Sequence, residues 1–519
     1  MIQRGILRFL VLLLTGLALQ VQAQLSWEQG IGFRRAPLSF SKNGKTGFTL
    51  LTSAQTGIAF TNILTIEQAL VNQNYLNGSG LAAGDIDGDG LIDLYFCSKN
   101  GEGRLFRNKG AGRFDDVTAW AGISTPGMAQ SAALFEDING DGFVDLIITS
   151  YGGPNACFIN DGKGHFSNIT QEAGLVFKGG CGSMAMADID GNGTLDLYVC
   201  NYGEQSVLRT GGMVTIRQSG GKPVVTGKYA KRIKIINGQM IELGEPHLLY
   251  LNDGKGHFKP VSWTDGTFLD EDGKPLTNDL WDMGLSAMFR DINQDGFPDL
   301  YVCNDFQTPD RIWINDGKGH FHAPPRSALR KTSQFSMGVD FADINRDGLD
   351  DFMVVDMLSR NHKLKMQQSN TTNPPAEYTG EKFLDRPQNR QNTLFLNRGD
   401  GSYVEMAHFA GLEATDWSWC PVFLDVDLDG YEDLLITTGH AFDTQDLDTI
   451  ALIKSNPPKN TRETLLRYPD LKTPNMAFRN KGDLRFEEMG HAWGFESTQV
   501  SHGIVLADID NDGDLDVII

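Results

Sequence analysis

Asp85-Ile-Asp-Gly-Asp-Gly-Leu-Ile-Asp93 decides how this chain is read. Carboxylates stand at positions 1, 3, 5 and 9, and Gly90 at position 6 permits the sharp turn that folds Asp85, Asp87, Asp89 and Asp93 onto one point. Leu91 at position 7 adds its backbone carbonyl. A large, hard cation takes six to eight such oxygens in flexible geometry, so the chemistry is that of Ca²⁺.

The spacing returns six times. The second copy is Asp137, Asn139, Asp141, Phe143 and Asp145. The third is Asp188, Asp190, Asn192, Thr194 and Asp196, and the fourth Asp291, Asn293, Asp295, Phe297 and Asp299. Asp343, Asn345, Asp347, Leu349 and Asp351 form the fifth. The sixth is Asp425, Asp427, Asp429, Tyr431 and Asp433, and the seventh Asp508, Asp510, Asp512, Asp514 and Asp516. One copy would be an ordinary polar turn; seven with Gly at position 6 and Asp at position 9 are a metal-binding repeat. An EF-hand needs a glutamate at position 12 and flanking helices, whereas position 12 is Phe96 in the first copy and Ile148 in the second. Short apolar runs follow the loops instead, such as Leu94-Tyr-Phe-Cys97 and Leu300-Tyr-Val-Cys303, and read as buried strands.

A second motif alternates with the first: Asn108-Lys-Gly-Ala-Gly-Arg-Phe114, Asn160 to Phe166, Asn252 to Phe258, Asn315 to Phe321, and looser copies at Asn397 to Tyr403 and Asn480 to Phe486. Gly and Asn accept the positive φ of a tight hairpin, and the aromatic starts the next strand. Each unit of about 51 residues therefore reads strand, calcium loop, strand, connection, strand, glycine turn, strand. The predicted fold class is all-β, a seven-bladed β-propeller of four-stranded antiparallel blades spanning 24–519. The chain stops after two strands of the seventh unit. Residues 39–58 repeat the pattern of Phe106 to Ile123, so they are expected to complete that last blade and leave no open edge.

Paired Asp-x-[Asp/Asn]-x-Asp-Gly-x-x-Asp loops and Asn-x-Gly-x-Gly-x-Phe turns resemble the FG-GAP/VCBS repeats of integrin α-like propellers. Gly244-Glu-Pro-His-Leu-Leu-Tyr-Leu-Asn-Asp253, Cys303-Asn-Asp-Phe306 and Ser336-Met-Gly-Val-Asp340 are similar to the bacterial cartilage acidic protein family. The resemblance covers roughly residues 40–519. It implies a secreted, calcium-loaded propeller, often followed in that family by an ASPIC/UnbV domain that residues 1–519 do not include.

Residues 1–23 read as a secretory signal peptide: Arg4 and Arg8, an apolar run, then Val21-Gln-Ala23 before the expected cut at Gln24. No later stretch approaches a membrane span, so an exported chain is expected, extracellular, at the cell surface or periplasmic. The net charge is −21, but the loops alone hold 24 aspartates as ligands, and up to seven Ca²⁺ would bring the total to −7. The acidity is metal chemistry, and nucleic acid or an anionic membrane is a poor partner. Cys97, Cys200 and Cys303 occupy equivalent strand positions and are expected to be buried thiols; pairing of Cys157, Cys181 and Cys420 stays open.

No Gly-x-Ser-x-Gly or His-Glu-x-x-His occurs. His247, His362, His440 and His502 are the dispersed candidates for an axial site, although structural histidines are the commoner reading. Two function classes remain: a binding or adhesion module for an extracellular glycan or protein, and a calcium-dependent enzyme on extracellular polysaccharide, lyase-like in chemistry. The insertions at 203–246, 356–391 and 439–474 should project from the rim opposite the calcium loops, where loops are free to carry function. Lys231, Arg232 and Lys234 in the first insertion are the candidate ligand-binding cations.

Overall fold

A computed structural model describes residues 28–31, 34–35, 45–208, 212–236, 238–306, 308–368 and 386–519. Residues 1–23, read as a signal peptide, and residues 36–44 and 369–385 lie outside the described residues.

One register is repeated throughout. The residue before position 1 pairs with the Asp at position 9 in all seven loops: Gly84↔Asp93, Glu136↔Asp145, Ala187↔Asp196, Arg290↔Asp299, Ala342↔Asp351, Leu424↔Asp433 and Ala507↔Asp516. The glycine turns are pinned likewise, from Asn108↔Phe114 to Asn480↔Phe486. Six four-stranded antiparallel meanders result. The first is Leu81–Gly84, Asp93–Phe96, Arg104–Asn108 and Phe114–Asp116. The sixth is Ser418–Leu424, Asp433–Thr438, Met476–Asn480 and Phe486–Glu488. A seventh sheet holds Val505–Ala507 and Asp516–Ile518.

Apolar side chains on both faces of each sheet drive the sheets together. One buried cluster lies between each neighbouring pair, from the first and second sheets round to the sixth and seventh. The next cluster joins the seventh sheet to the first, with Ala507 and Ile509 against Leu94, Phe106 and Phe114. The sheets run in a ring, and the fold is an all-β propeller.

The repeated asparagine is the rivet between blades. Asn160 Nδ2 donates to Ile86 O of the preceding blade at 2.8 Å, and Asn252, Asn315 and Asn480 do the same to Ile138, Ile189 and Ile344 at 2.8–2.9 Å. Asn397 reaches Ile292 O at 3.3 Å. Asn108 of the first blade reaches Ile509 O of the seventh at 2.7 Å. This corrects the reading of these residues as bearers of positive φ: the glycines of the turn take that conformation, and none of these asparagines does.

Residues 45–60 pack on the seventh sheet. Phe166 N and Phe258 N each donate to a carbonyl of the preceding blade, Ala121 O and Ala173 O, at 2.8 and 2.9 Å. Phe48 N makes the matching bond to Trp493 O at 2.6 Å, and its ring lies 5.7 Å from Phe495. Gly57, at φ +81°, passes so close to Phe114 O that a Cβ there would sit 2.4 Å from it; Gly122 meets Phe166 O in the same way at 3.1 Å. Removal of residues 39–58 is expected to uncover the seventh sheet and cost cooperative melting. Size-exclusion chromatography and calorimetry check this; a monomeric truncation with unchanged melting would refute it.

All six cysteines are free, five of them buried. Among the described residues no helix is long and apolar enough to cross a membrane.

Candidate functional site

The acidic loops are built from short-range hydrogen bonds. Asp85 Oδ1 accepts from Gly88 N at 2.8 Å and Asp89 N at 3.2 Å, and its Oδ2 accepts from Gly90 N at 2.8 Å. The bond from the position 6 glycine recurs in every loop at 2.7–3.0 Å. Those glycines sit at φ +82° to +99°, a conformation with little penalty only for glycine.

The position 9 aspartates form the floor. Asp145, Asp196, Asp299, Asp351 and Asp433 are 0% exposed. Their Oδ1 accepts from the backbone N of the rivet asparagine at 2.7–2.8 Å, as Asp93 does from Asn108. In six loops Oδ2 accepts from the position 2 N–H as well. Burial nevertheless pushes Asp93, Asp145, Asp299, Asp351 and Asp433 up to about 7, against those donated bonds and helped by the other loop aspartates. A buried carboxylate crowded by others needs a cation to be ionised at little cost.

The loops bring ligand atoms together. In Asp85/Asp87/Asp93, Asp188/Asp190/Asp196, Asp425/Asp427/Asp433 and Asp508/Asp510/Asp516 one oxygen from each residue lies within 4.8 Å of the others. Asp87 Oδ1, Asp351 Oδ2 and Asp427 Oδ1 are buried without a hydrogen-bond partner. All-oxygen donors with such atoms left over fit a hard divalent ion. The position 7 side chains lean onto the glycine turns: Phe143 over Gly162, Phe297 over Gly317 and Tyr431 over Gly482 leave no room for a Cβ there. Acidic loops and glycine turns therefore share one rim.

The opposite rim holds a cavity of about 470 Å³. Its walls come from the N-terminal crossing (Ala69, Asn74), the ends of second strands (Tyr202, Phe306) and the insertions (Gln368, Arg390, His440, Tyr468). Trp417 and Trp419 enter from the first strand of the sixth blade. Trp417 stacks on His440 at 4.2 Å and 8°, with Trp419 beside it at 6.3 Å. Trp419 then meets His502 at 4.7 Å. Four lining residues carry a buried polar atom without a partner: Asn74 Nδ2, Gln368 Oε1, Arg390 Nε and Trp417 Nε1. Residues 66–77 are anchored across this face by Asn72 Nδ2 to Gly203 O at 2.6 Å and Gln68 Nε2 to Lys99 O at 3.0 Å.

The cationic cluster of the first insertion is placed differently from its reading as a ligand-facing group. Arg232 is a strut: its guanidinium binds Leu243 O at 2.8 Å, Gln205 O at 2.9 Å, and Glu242 and Glu245 at 3.3 Å each. Lys231 lies 5.5 Å from the Trp281 ring, Lys234 is exposed, and none of the three lines the cavity. The four candidate histidines do not meet at one point. His440 and His502 flank Trp419, and His362 opens the exposed start of the helix His362–Gln368.

His247 is buried with Nδ1 2.7 Å from Tyr198 OH, and burial holds it down at about 4. The unfolded chain takes up a proton near pH 6.5 that the folded one refuses until about pH 4, so stability falls as pH drops through that window. His247→Gln is expected to flatten the loss of melting temperature between pH 7 and 5; an unchanged slope would assign the loss elsewhere.

Sequence reasoning missed the tryptophans and the asparagine rivet. Trp417 and Trp419 stand where the second and third blades carry small residues, Ala129 and Ser131 and then Gly180 and Gly182. That contrast was the available signal.

A ring of antiparallel blades with an acidic nine-residue loop in each defines a class of β-propeller whose loops could hold metal ions. The FG-GAP-like repeat family matches residues 85–148, 137–199, 291–354 and 384–436, so the chain carries FG-GAP-like repeats there. It is similar to cartilage acidic protein 1 of Homo sapiens, 27% identical over 154 residues, which are 29% of this chain and 23% of that one. The Xenopus tropicalis counterpart is 29% identical over 130 residues, 24% of this chain and 20% of that protein. The matches thus span between a fifth and a quarter of those relatives' length. Among solved structures, an Agrocybe aegerita lectin for non-reducing terminal N-acetylglucosamine aligns at TM-score 0.39 and 14% identity, covering 80% of this chain and 84% of the lectin. The BP39L lectin of Burkholderia pseudomallei aligns at TM-score 0.33 and 10% identity, covering 70% and 93%.

Proposed function

We propose that the chain is an exported seven-bladed propeller, loaded with Ca²⁺ on one rim and binding an extracellular glycan in the aromatic cavity of the other. The calcium ligands are the loop residues at positions 1, 3, 5, 7 and 9, and residues 45–60 complete the seventh blade. The observation that carries the binding reading is the Trp417–His440 stack beside Trp419 in a cavity whose lining keeps unspent polar atoms. Pyranose rings present apolar C–H faces and a fringe of hydroxyls. Aromatic walls with a few placed donors and acceptors recognise that combination.

A glycan array probed with the purified full chain tests it. Binding abolished by Trp417→Ala supports the reading; binding that survives this change moves the site elsewhere. Release of unsaturated-product absorbance from acidic polysaccharides would replace the binding module with a lyase.

A further inference from the structure

The seven loops do not carry equal charge. Loops 2 to 5 have three aspartates at positions 1, 3, 5 and 9; loops 1, 6 and 7 have four. In loops 2, 4 and 5 the asparagine at position 3 turns its amide onto the position 5 carboxylate. Asn139 Nδ2 reaches Asp141 Oδ2 at 3.0 Å, Asn293 reaches Asp295 at 2.9 Å and Asn345 reaches Asp347 at 3.0 Å. Loops 1 and 6 have aspartate at position 3 and no such donor. There an arginine from the third strand takes its place on the same atom. Arg107 Nη2 lies 3.2 Å from Asp89 Oδ2 and also contacts Asp87. Arg479 lies 3.1 Å from Asp429 Oδ2 and 2.6 Å from Asp427 Oδ2.

The arginine stands immediately before the rivet asparagine. The other blades put Ile159, Leu251, Ile314 and Leu396 at that position. Ligand aspartates less arginine is therefore three in every loop whose third strand is described. The side chain of Asp87 is 8% exposed, and its Oδ1 has no partner. The arginine thus meets one edge of the cage and leaves ligand atoms unspent.

We infer that Arg107 and Arg479 are internal surrogate cations that hold two of the three four-carboxylate loops, the first and the sixth, together without calcium and compete with it. This rests on the reading of the loops as calcium sites. The guanidinium supplies donors and one positive charge to carboxylates that would otherwise repel one another. A divalent ion entering the cage faces that charge at close range and must displace its contacts with Asp87 and Asp89, or with Asp427 and Asp429. Loops 2 to 5 carry no such opponent, so the chain holds two classes of site.

Replacing Arg107 and Arg479 by Leu, the residue found in blades 3 and 5, tests this on the full chain. Without calcium, in EGTA, the variant is expected to melt below the wild type. In calcium titrations followed by melting and by calorimetry, its two altered loops should fill at roughly tenfold lower Ca²⁺, the effect of a unit charge about 6 Å from a divalent ion in water-like surroundings. The two melting curves should therefore converge or cross as calcium rises. Calcium affinity left unchanged, or weakened, would overturn the inference.

A second variant guards against simple loss of packing. Asp87→Asn with Arg107→Leu, and Asp427→Asn with Arg479→Leu, copies the blade 5 pair Asn345 and Leu396. It should regain wild-type melting in EGTA; melting as low as the arginine variant would show that the arginines do not act by neutralising the fourth carboxylate. A wild type that does not respond to calcium at all would instead sink the calcium reading, and this inference with it.

Discussion

Chelation of calcium is expected to lower the melting temperature of the wild-type chain by about 10 °C. Extracellular calcium sites often have dissociation constants of ~0.1–1 mM. At ~1 mM Ca²⁺ a ~0.1 mM site stabilises the folded state by about 1.4 kcal/mol, so seven independent sites approach ~10 kcal/mol. A propeller of this size unfolds with an entropy of roughly 1 kcal/mol per degree, which converts that sum to ~10 °C. The structure supplies the reason. Asp145, Asp299, Asp351 and Asp433 are buried to 0% exposure and crowded by other loop carboxylates. Magnesium should restore little, since it demands tight octahedral geometry. Scanning calorimetry with EGTA, then with Ca²⁺ or Mg²⁺ returned, decides the matter. Equal melting in EGTA and calcium would leave the loops as polar turns.

The second large effect is on ligand binding. Trp417→Ala is expected to weaken glycan binding by more than 30-fold, the scale of an aromatic hot spot worth at least ~2 kcal/mol. Trp417 is 8% exposed, and truncating a buried tryptophan costs ~3–5 kcal/mol of stability. A second variant is therefore needed. Trp417→Phe keeps a ring against His440 but removes the indole N–H, which has no partner in the fold. It should retain most of the stability and show an intermediate affinity. Calcium titration of melting should be unaltered in both, because the loops lie on the other rim. An Ala variant that folds, responds to calcium and binds as the wild type does would remove the cavity from consideration.

The basic insertion illustrates why charge alone misleads. Arg232 looked available because Lys231 and Lys234 flank it in an acidic chain. Its guanidinium instead joins the two ends of its own insertion, through Gln205 O on one side and Glu242, Leu243 O and Glu245 on the other. Whether an arginine serves a ligand or its own loop depends on acceptors that the fold brings near it.

The seven acidic loops, their strand–loop–strand register and the partnership of loop with glycine turn were legible in the sequence itself. Each loop is a ring of hydrogen bonds closed within about ten residues, so the spacing of Asp, Asn and Gly encodes it locally, and Asp85 to Asp93 suffices to read it; the glycine turns were legible because they recur in step with the loops. The tertiary structure alone decided how the units meet. Asn108 reaches Ile509, and Phe48 reaches Trp493; the repeat of Phe106 to Ile123 in residues 39–58 pointed to the closure, but the bonds themselves depend on where the ring brings two distant segments of the chain. The cavity is the extreme case. Asn74, Tyr202, Phe306, Arg390, Trp417 and Tyr468 come from the N-terminal crossing, the strand ends and the insertions of several blades and follow no period. A repeat announces itself by recurrence; a binding site assembled once, across blades, has nothing in the sequence to repeat.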